Sequence, residues 1–196
     1  MNVIKVFSSD YEGTIPEIVD RIKRGEILIL PTDTVYGLIC DATNEKAVER
    51  VFEIKKRDKA KPLSVFVKDI KMAEQYAFID FEQRDFIERN WPGAVTIILK
   101  SKPGLSSLVY KENTIGLRQS ASNLVARVID EFSKPLAQTS ANISGEGALT
   151  EIGKVLDQFK NSDIQPDVVI DMGDLPENRP SKVINYSENK IKTIRE

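Results

Sequence analysis

The sequence predicts an α/β fold, a mixed and twisted sheet with helices on both faces. Three observations predict it. Short, branched apolar runs alternate with segments of helical periodicity, but irregularly, which argues for mixed pairing over a strict βαβ series. One such run, Ile27–Leu30, reads as a buried strand and empties into the polar stretch Pro31–Leu38, the kind of strand end where open α/β sheets place ligands. And 196 residues, 41% of them hydrophobic, can bury the core of one domain, expected to span residues 1–196.

The elements follow in order. Val3–Phe7 alternates weakly and reads as a first strand. Ile15, Ile18, Val19 and Ile22 recur at helical spacing and predict a helix over Pro16–Arg24, with Thr14 to cap it and Gly25 to end it. After the Ile27–Leu30 strand, Thr43 or Asn44 caps a second helix with the face Ala47, Val48, Val51 and Phe52, which runs into Lys55 and Lys56. Pro62 breaks it, and Leu63–Val67 is a strand. Two amphipathic segments, Ile70–Tyr76 and Glu82–Arg89, precede the turn Trp91–Gly93. Ala94–Leu99 and Thr114–Arg118 are strands, the second ending in Arg118. Leu124, Val125, Val128 and Ile129 mark a helix, Pro135–Gln138 a strand leading into Thr139–Asn142, and Ser144–Gly147 a loop. Ile152, Val155, Leu156 and Phe159 form a last helical face, followed by a Val168–Ile170 strand. Gly173–Pro180 is a polar connection and the segment expected to move most, and Lys182–Tyr186 with Ile191–Ile194 closes the chain as paired strands.

Composition removes whole classes of chemistry. There is no histidine, so imidazole base catalysis, histidine triads and histidine metal sites are absent. The one cysteine, Cys40, rules out an internal disulfide and a thiolate zinc site and reads as a small core residue. A metal would need oxygen ligands, which favours Mg²⁺ carried on a phosphate. With 28 basic and 30 acidic residues the formal charge is −2, giving no general attraction for nucleic acid or anionic lipid. No signal peptide and no membrane-length apolar run is visible, so a cytoplasmic protein is expected.

Three polar clusters carry the remaining chemistry. Lys55–Lys61 holds five basic residues and one acidic residue in seven, between a helix end and a strand. Its cations can converge on one anion, arginine as a bidentate donor and lysine as a point charge, and a polyphosphate is the natural ligand. No glycine-rich phosphate loop is present, so side-chain cations would replace backbone amides. Thr139–Asn142 reads either as a simple helix cap or turn or as a ligand contact, since Ser140 and Asn142 lie two apart and would project to one side of an extended segment. Thr32, Asp33 and Thr34 are turn formers or ligand contacts, and Arg118 and Ser181 could equally lie on the surface.

Taken together, these residues resemble the YrdC-type threonylcarbamoyl-AMP synthases. The resemblance rests on Pro31–Leu38, the K-x-R of Lys55 and Arg57, Lys61–Leu63, Trp91–Gly93, Thr114–Arg118, the S-x-N of Ser140 and Asn142, Ser181–Val183 and the closing Arg195-Glu196. The order and spacing of so many pieces make the match, which spans nearly the whole chain. It implies a mixed sheet around a deep, positively lined cavity. It also implies a reaction in which L-threonine and bicarbonate form a carbamate that attacks the α-phosphate of ATP, releasing pyrophosphate. A downstream transferase then moves the threonylcarbamoyl group to tRNA.

Carried over position by position, the resemblance makes Lys55 and Arg57 the catalytic cations. It makes Arg57, Lys61, Thr114, Ser140, Asn142 and Arg195 the ATP contacts, and Thr34, Arg118 and Ser181 the threonine contacts. The metal site is none on the protein, with Mg²⁺ arriving on ATP. Where many relatives have Asn, this chain has Lys61, adding a cation; where they have His, it has Phe66, removing a polar contact to threonine; Asp58 replaces a proline. The chain is too short for the second domain of longer members. The alternative is a non-catalytic RNA-binding module using the basic run, against which stand the charge and the lack of aromatics within that run. A carbamoyl transferase domain is a further alternative, but its relatives depend on cysteine-rich zinc sites.

Overall fold

The structure, a computed structural model, describes residues 1–7, 11–188 and 190–196. Its strands are β1 (Asn2–Lys5), β2 (Leu28–Pro31), β3 (Tyr36–Asp41), β4 (Ser64–Phe66), β5 (Val95–Lys100), β6 (Tyr110–Lys111), β7 (Thr114–Arg118), β8 (Leu136–Ser140), β9 (Val168–Asp171), β10 (Lys182–Asn185) and β11 (Lys192–Arg195). Its helices are α1 (Ile15–Lys23), α2 (Glu45–Lys55), α3 (Ile70–Tyr76), α4 (Phe81–Asn90), α5 (Asn123–Phe132) and α6 (Ile152–Phe159). All strands join one sheet in the order β1-β9-β2-β3-β8-β4-β7-β5-β10-β11, with β6 hung on β7. Pairing is mixed, as the irregular alternation predicts: β1–β9, β2–β9, β4–β7 and β5–β10 are parallel, and β2–β3, β3–β8, β4–β8 and β5–β7 antiparallel.

Helices cover both faces, also as predicted. On one face, Ile15, Ile18, Val19 and Ile22 of α1 and Leu124, Val125, Val128 and Ile129 of α5 pack on Leu28, Leu30, Phe66, Leu136 and Val168. On the other, Val48, Val51 and Phe52 of α2, Ile87 of α4 and Val155 and Phe159 of α6 pack with Leu38, Val65, Ile97, Leu99, Ile115 and Leu117. Cys40 is buried in this second cluster, the core position expected of it.

The local physics is readable at the helix ends. Gly25 (φ 80°) ends α1 in a Schellman arrangement: its N–H donates to Ile22 O at 2.9 Å, and Glu26 N–H to Arg21 O at 3.1 Å. Thr14 holds the cap position of α1, but its hydroxyl donates to Tyr11 O at 2.6 Å instead of receiving a helix N–H. Of the two residues offered for α2, Asn44 makes the cap, its side chain accepting from Ala47 N–H.

Three expectations change. Tyr36–Asp41, read as the tail of a turn and an apolar stretch, is the central strand β3; it is buried on both sides, so it lacks the alternation that marks a half-exposed strand. The first strand stops at Lys5 and leaves Phe7 exposed. Gly173–Pro180, expected to move most, is stitched down: Tyr36 Oη donates to Gly173 O at 2.6 Å, Leu175 N–H to Thr150 O at 3.0 Å and Asn178 Nδ2 to Asp33 O at 3.2 Å.

Candidate functional site

Strand alternation builds the site. On β7, Ile115 and Leu117 enter the core while Thr114, Gly116 and Arg118 face the other way. On β5, Ile97 and Leu99 enter the core while Thr96, Ile98 and Lys100 face with them. This is the sheet face that α1 and α5 cover farther along, and over β7, β5 and β10 it is left open. The open part is a cavity of about 960 Å³, walled by the Pro31–Leu38 turn, the Arg57–Pro62 loop, the end of β8, Pro180–Ser181 and β11. Among the described residues six cationic side chains line it, Arg57, Lys61, Lys100, Lys111, Arg118 and Arg195, against two acidic ones, Glu112 and Glu188.

Arg118 anchors one end. It is 2% exposed, and its guanidinium is held on several sides. Nε donates to Gly93 O at 2.9 Å, Nη2 to Asp33 Oδ2 at 2.7 Å and Nη1 to Thr34 Oγ1 at 3.4 Å. The ring of Phe66 lies beneath it, 5.5 Å from the guanidinium carbon. Gly93 can be nothing larger, since a Cβ there would meet Asn90 O at 2.6 Å. Thr32 makes the turn itself, its hydroxyl accepting from Thr34 N–H at 3.1 Å and donating to Val35 O at 2.7 Å. That turn aims Asp33 at Arg118 and Ser120, and leaves Thr34 Oγ1 at the wall. The result is a fixed guanidinium beside a hydroxyl, an arrangement suited to a carboxylate.

Arg57, Arg195 and Ser140 occupy the wall beyond it. Arg57 donates to Lys61 O at 2.8 Å and Pro62 O at 3.1 Å. Arg195 donates to Ser181 O at 2.6 Å, and Ser181 Oγ lies 2.9 Å from Thr96 Oγ1. Burial lowers the pKa of all three arginines, and Arg57 and Arg195 are lowered further by neighbouring arginine charge, Arg195 acting on Arg57 and Arg118 on Arg195. Asp33 opposes the fall at Arg118. A group of guanidiniums that repel one another in a partly dry cavity is an electrostatic demand for an anion. Thr114 also faces the cavity, but its hydroxyl proton is engaged by Lys111 O at 2.6 Å.

The structure therefore brings Thr34, Arg57, Lys61, Thr114, Arg118, Ser140, Ser181 and Arg195 to one cavity, and leaves Lys55 and Asn142 behind its wall. Direct ligand contacts are expected of those two, and the structure places both in a supporting position behind the lining. The helix ends at Lys55, and the left-handed Lys56 (φ 51°) then turns the chain, so that Lys55 points inward and Arg57 into the cavity. Lys55 is 1% exposed, and its ammonium donates to Ser140 O and Asn142 O, both at 2.6 Å, and lies 3.3 Å from Asn142 Oδ1. Burial, with a smaller push from Arg57, lowers its pKa to about 7. Ser140 and Asn142 do not share a side, because the chain leaves the strand after Ser140: Asn142 N–H donates to Ser140 O at 3.0 Å, and Nδ2 turns to Ile143 O and Glu146 O.

The basic run does not converge as a whole. Lys56 is exposed and Lys59 pairs with Glu49, so only Arg57 and Lys61 reach the cavity. Phe66, which stands where many relatives have histidine, packs in the core under Arg118 and does not line the cavity. Asp33, read from the sequence as a turn former or a ligand contact, is instead the partner of Arg118. Its carboxylate lies 85 residues from its arginine partner, and no local pattern announces that pairing.

Known proteins resemble this chain in sequence and in fold. The sequence profile of the Sua5/YciO/YrdC family, described as "Telomere recombination", matches residues 20–196. A Methanocaldococcus jannaschii protein assigned as a threonylcarbamoyl-AMP synthase is 37% identical over 99% of this chain and 92% of its own. The threonylcarbamoyl-AMP synthase of Vibrio vulnificus is 34% identical over 87% of this chain and 92% of its own. Among solved structures, P. abyssi Sua5 complexed with L-threonine superposes with a TM-score of 0.92 at 29% identity. The match covers 100% of this chain but 57% of that one. E. coli YciO, at 22% identity and a TM-score of 0.87, shares the fold.

Proposed function

The chain belongs to the Sua5/YciO/YrdC family, and from that premise we propose that it is a threonylcarbamoyl-AMP synthase. One observation carries the reading: Arg57, Arg118 and Arg195 share a single cavity with the Ser140 hydroxyl. Arg118, fixed by Asp33 and Gly93, takes the carboxylate of L-threonine, with Thr34 and Ser181 beside it. The threonine amine adds to bicarbonate with loss of water, giving a carbamate. A carbamate oxygen attacks the α-phosphorus of ATP, the bond to the bridging oxygen breaks, and pyrophosphate leaves. The carbamate is already an anionic nucleophile, so a chain without histidine can run the step on positioning and charge neutralisation.

Arg57, Lys61, Ser140 and Arg195 face the polyphosphate, while Lys55 and Asn142 hold the Ser140 corner in shape. Mg²⁺ arrives as part of the nucleotide and neutralises phosphate charge. Among the described residues no group of three or more acidic or cysteine side chains is placed to hold a metal. The product passes to a separate transferase that modifies adenosine in tRNA next to the anticodon. No helix among the described residues is long and apolar enough to cross a membrane.

The test is pyrophosphate release with ATP and Mg²⁺, omitting threonine or bicarbonate in turn. Release should require both, and release that continues without threonine would refute the reading. Arg57→Ala should fold and lose roughly a hundredfold or more in rate, the loss typical when one donor to a transition-state charge is removed.

A further inference from the structure

We infer that Lys100 and Lys111, which flank Thr114 on neighbouring strands, form a second anion seat, at the opposite end of the cavity from Arg118, that receives the departing pyrophosphate. Lys100 of β5 and Lys111 of β6 are both direct cross-strand partners of Thr114 on β7. Cross-strand partners share a face, so all three side chains point into the cavity, as its lining confirms. Neighbouring strands lie about 4.8 Å apart, so the two lysine backbones straddle Thr114 at about twice that distance, within reach of one anion for two flexible four-carbon stems. The β6–β7 hairpin holds the row in place. Its two loop residues, Glu112 and Asn113, both have positive φ (50° and 60°), the pattern of a type I′ turn, and the Thr114 hydroxyl closes it on Lys111 O.

These lysines are otherwise unengaged. Nearby Lys59 pairs with Glu49, and Lys102 donates to Glu74 O and lies over the Phe78 ring. The ammonium groups of Lys61, Lys100 and Lys111 have no ion-pair or hydrogen-bond partner among the described residues, and all three line the cavity. Glu112 at the hairpin tip and Glu188 formally balance the pair, and counting Lys61 with it leaves an excess of one positive charge among these lining groups. That suits a group that must leave.

The direction of travel rests on the proposed function. Attacking and leaving oxygens in a nucleotidyl transfer stand roughly in line. With the threonine carboxylate at Arg118, the pyrophosphate departs away from it. Thr114 lies four residues along the same strand, about 13 Å at 3.3 Å per residue. Gly116, between them, contributes no side chain to that track.

The experiment is calorimetric titration of the full chain with inorganic pyrophosphate, comparing the unsubstituted protein with Lys100→Ala/Lys111→Ala, Lys100→Arg/Lys111→Arg and Lys102→Ala. The double alanine variant should bind pyrophosphate about tenfold more weakly while its threonine affinity is unchanged. The arginine variant should retain binding, and Lys102→Ala should bind normally. Undiminished binding in the double alanine variant overturns the proposal, and so does an equal loss in Lys102→Ala, which would mark a general charge effect. If the alanine variant fails to fold, loss of binding in a folded arginine variant also overturns it. The titration needs no turnover, so the seat stands or falls separately from the reaction, which the pyrophosphate-release assay decides.

Discussion

The Arg118–Asp33 pair shows how a single residue can matter through its partner. Arg118 and Asp33 side chains are 2% and 12% exposed, so each has given up most of its hydration, and the pair is worth keeping only because both charges are matched. Asp33→Asn keeps the shape and removes the charge. Breaking a buried pair from one side costs on the order of 3–5 kcal/mol, and about 3 kcal/mol is expected here because Gly93 O and Thr34 still hold the guanidinium. Urea denaturation measures it, with the midpoint falling and the slope unchanged. Threonine half-saturation should rise with it, because the arginine that receives the carboxylate is no longer fixed. A variant as stable as the parent would show that Asp33 is a turn former and no more.

At the level of elements, two ends meet: the C-terminus of α2 and the end of β8 are joined by the buried Lys55 ammonium. Its folded pKa, about 7, lies below the ordinary 10.5. Between those values the unfolded chain binds the proton and the folded one does not, so folding stability gains as pH rises. The contribution is complete above pH 10.5 and is lost as pH falls through about 7. Lys55→Met removes that titration. Thermal melts should therefore show the stability of the parent relative to the variant increasing from pH 6 to pH 9, and a pH-independent difference would place the Lys55 pKa near its ordinary value.

The strand β7 makes a second prediction at this scale. A Cβ at Gly116 would meet Thr96 Cγ2 at 3.4 Å and Ser64 Oγ at 3.7 Å, which are ordinary contacts. Gly116→Ala should therefore fold with nearly the parent's denaturation midpoint, yet stand in the floor between Arg118 and Thr114 and raise the half-saturation of both threonine and ATP. Unchanged kinetics would mean that the ligands do not cross this strand.

For the molecule as a whole, the cavity is a concentration of charge on a chain whose formal charge is only −2. Six cations facing one hollow repel each other when it is empty, and an anion bound there stabilises the folded state by mass action. At a hundredfold excess over Kd, ATP should add about 2.7 kcal/mol and raise Tm by roughly 5–10 °C for a chain of this size. The shift should shrink as salt is added, because mobile ions screen partly exposed charges. A Tm indifferent to ATP at low salt would exclude the cavity as a nucleotide site.

The primary structure determined what local forces determine. Helical periodicity placed α1, α2 and α5, Gly25 marked the end of α1 and Asn44 the start of α2, and Thr114–Arg118 was legible as a strand ending in Arg118. The absence of histidine narrowed the chemistry before any coordinate was known. Tertiary structure decided which polar groups meet. Residues 57, 118, 140 and 195 become neighbours only through strand order and register, which depend on how whole faces pack and not on any local spacing. It also separated Lys55 from Arg57, two residues apart in one motif, because the left-handed turn at Lys56 sends one inward as a brace and the other out to the cavity. Patterns in a sequence record which face a side chain prefers, while convergence across the sheet is a property of the packed chain.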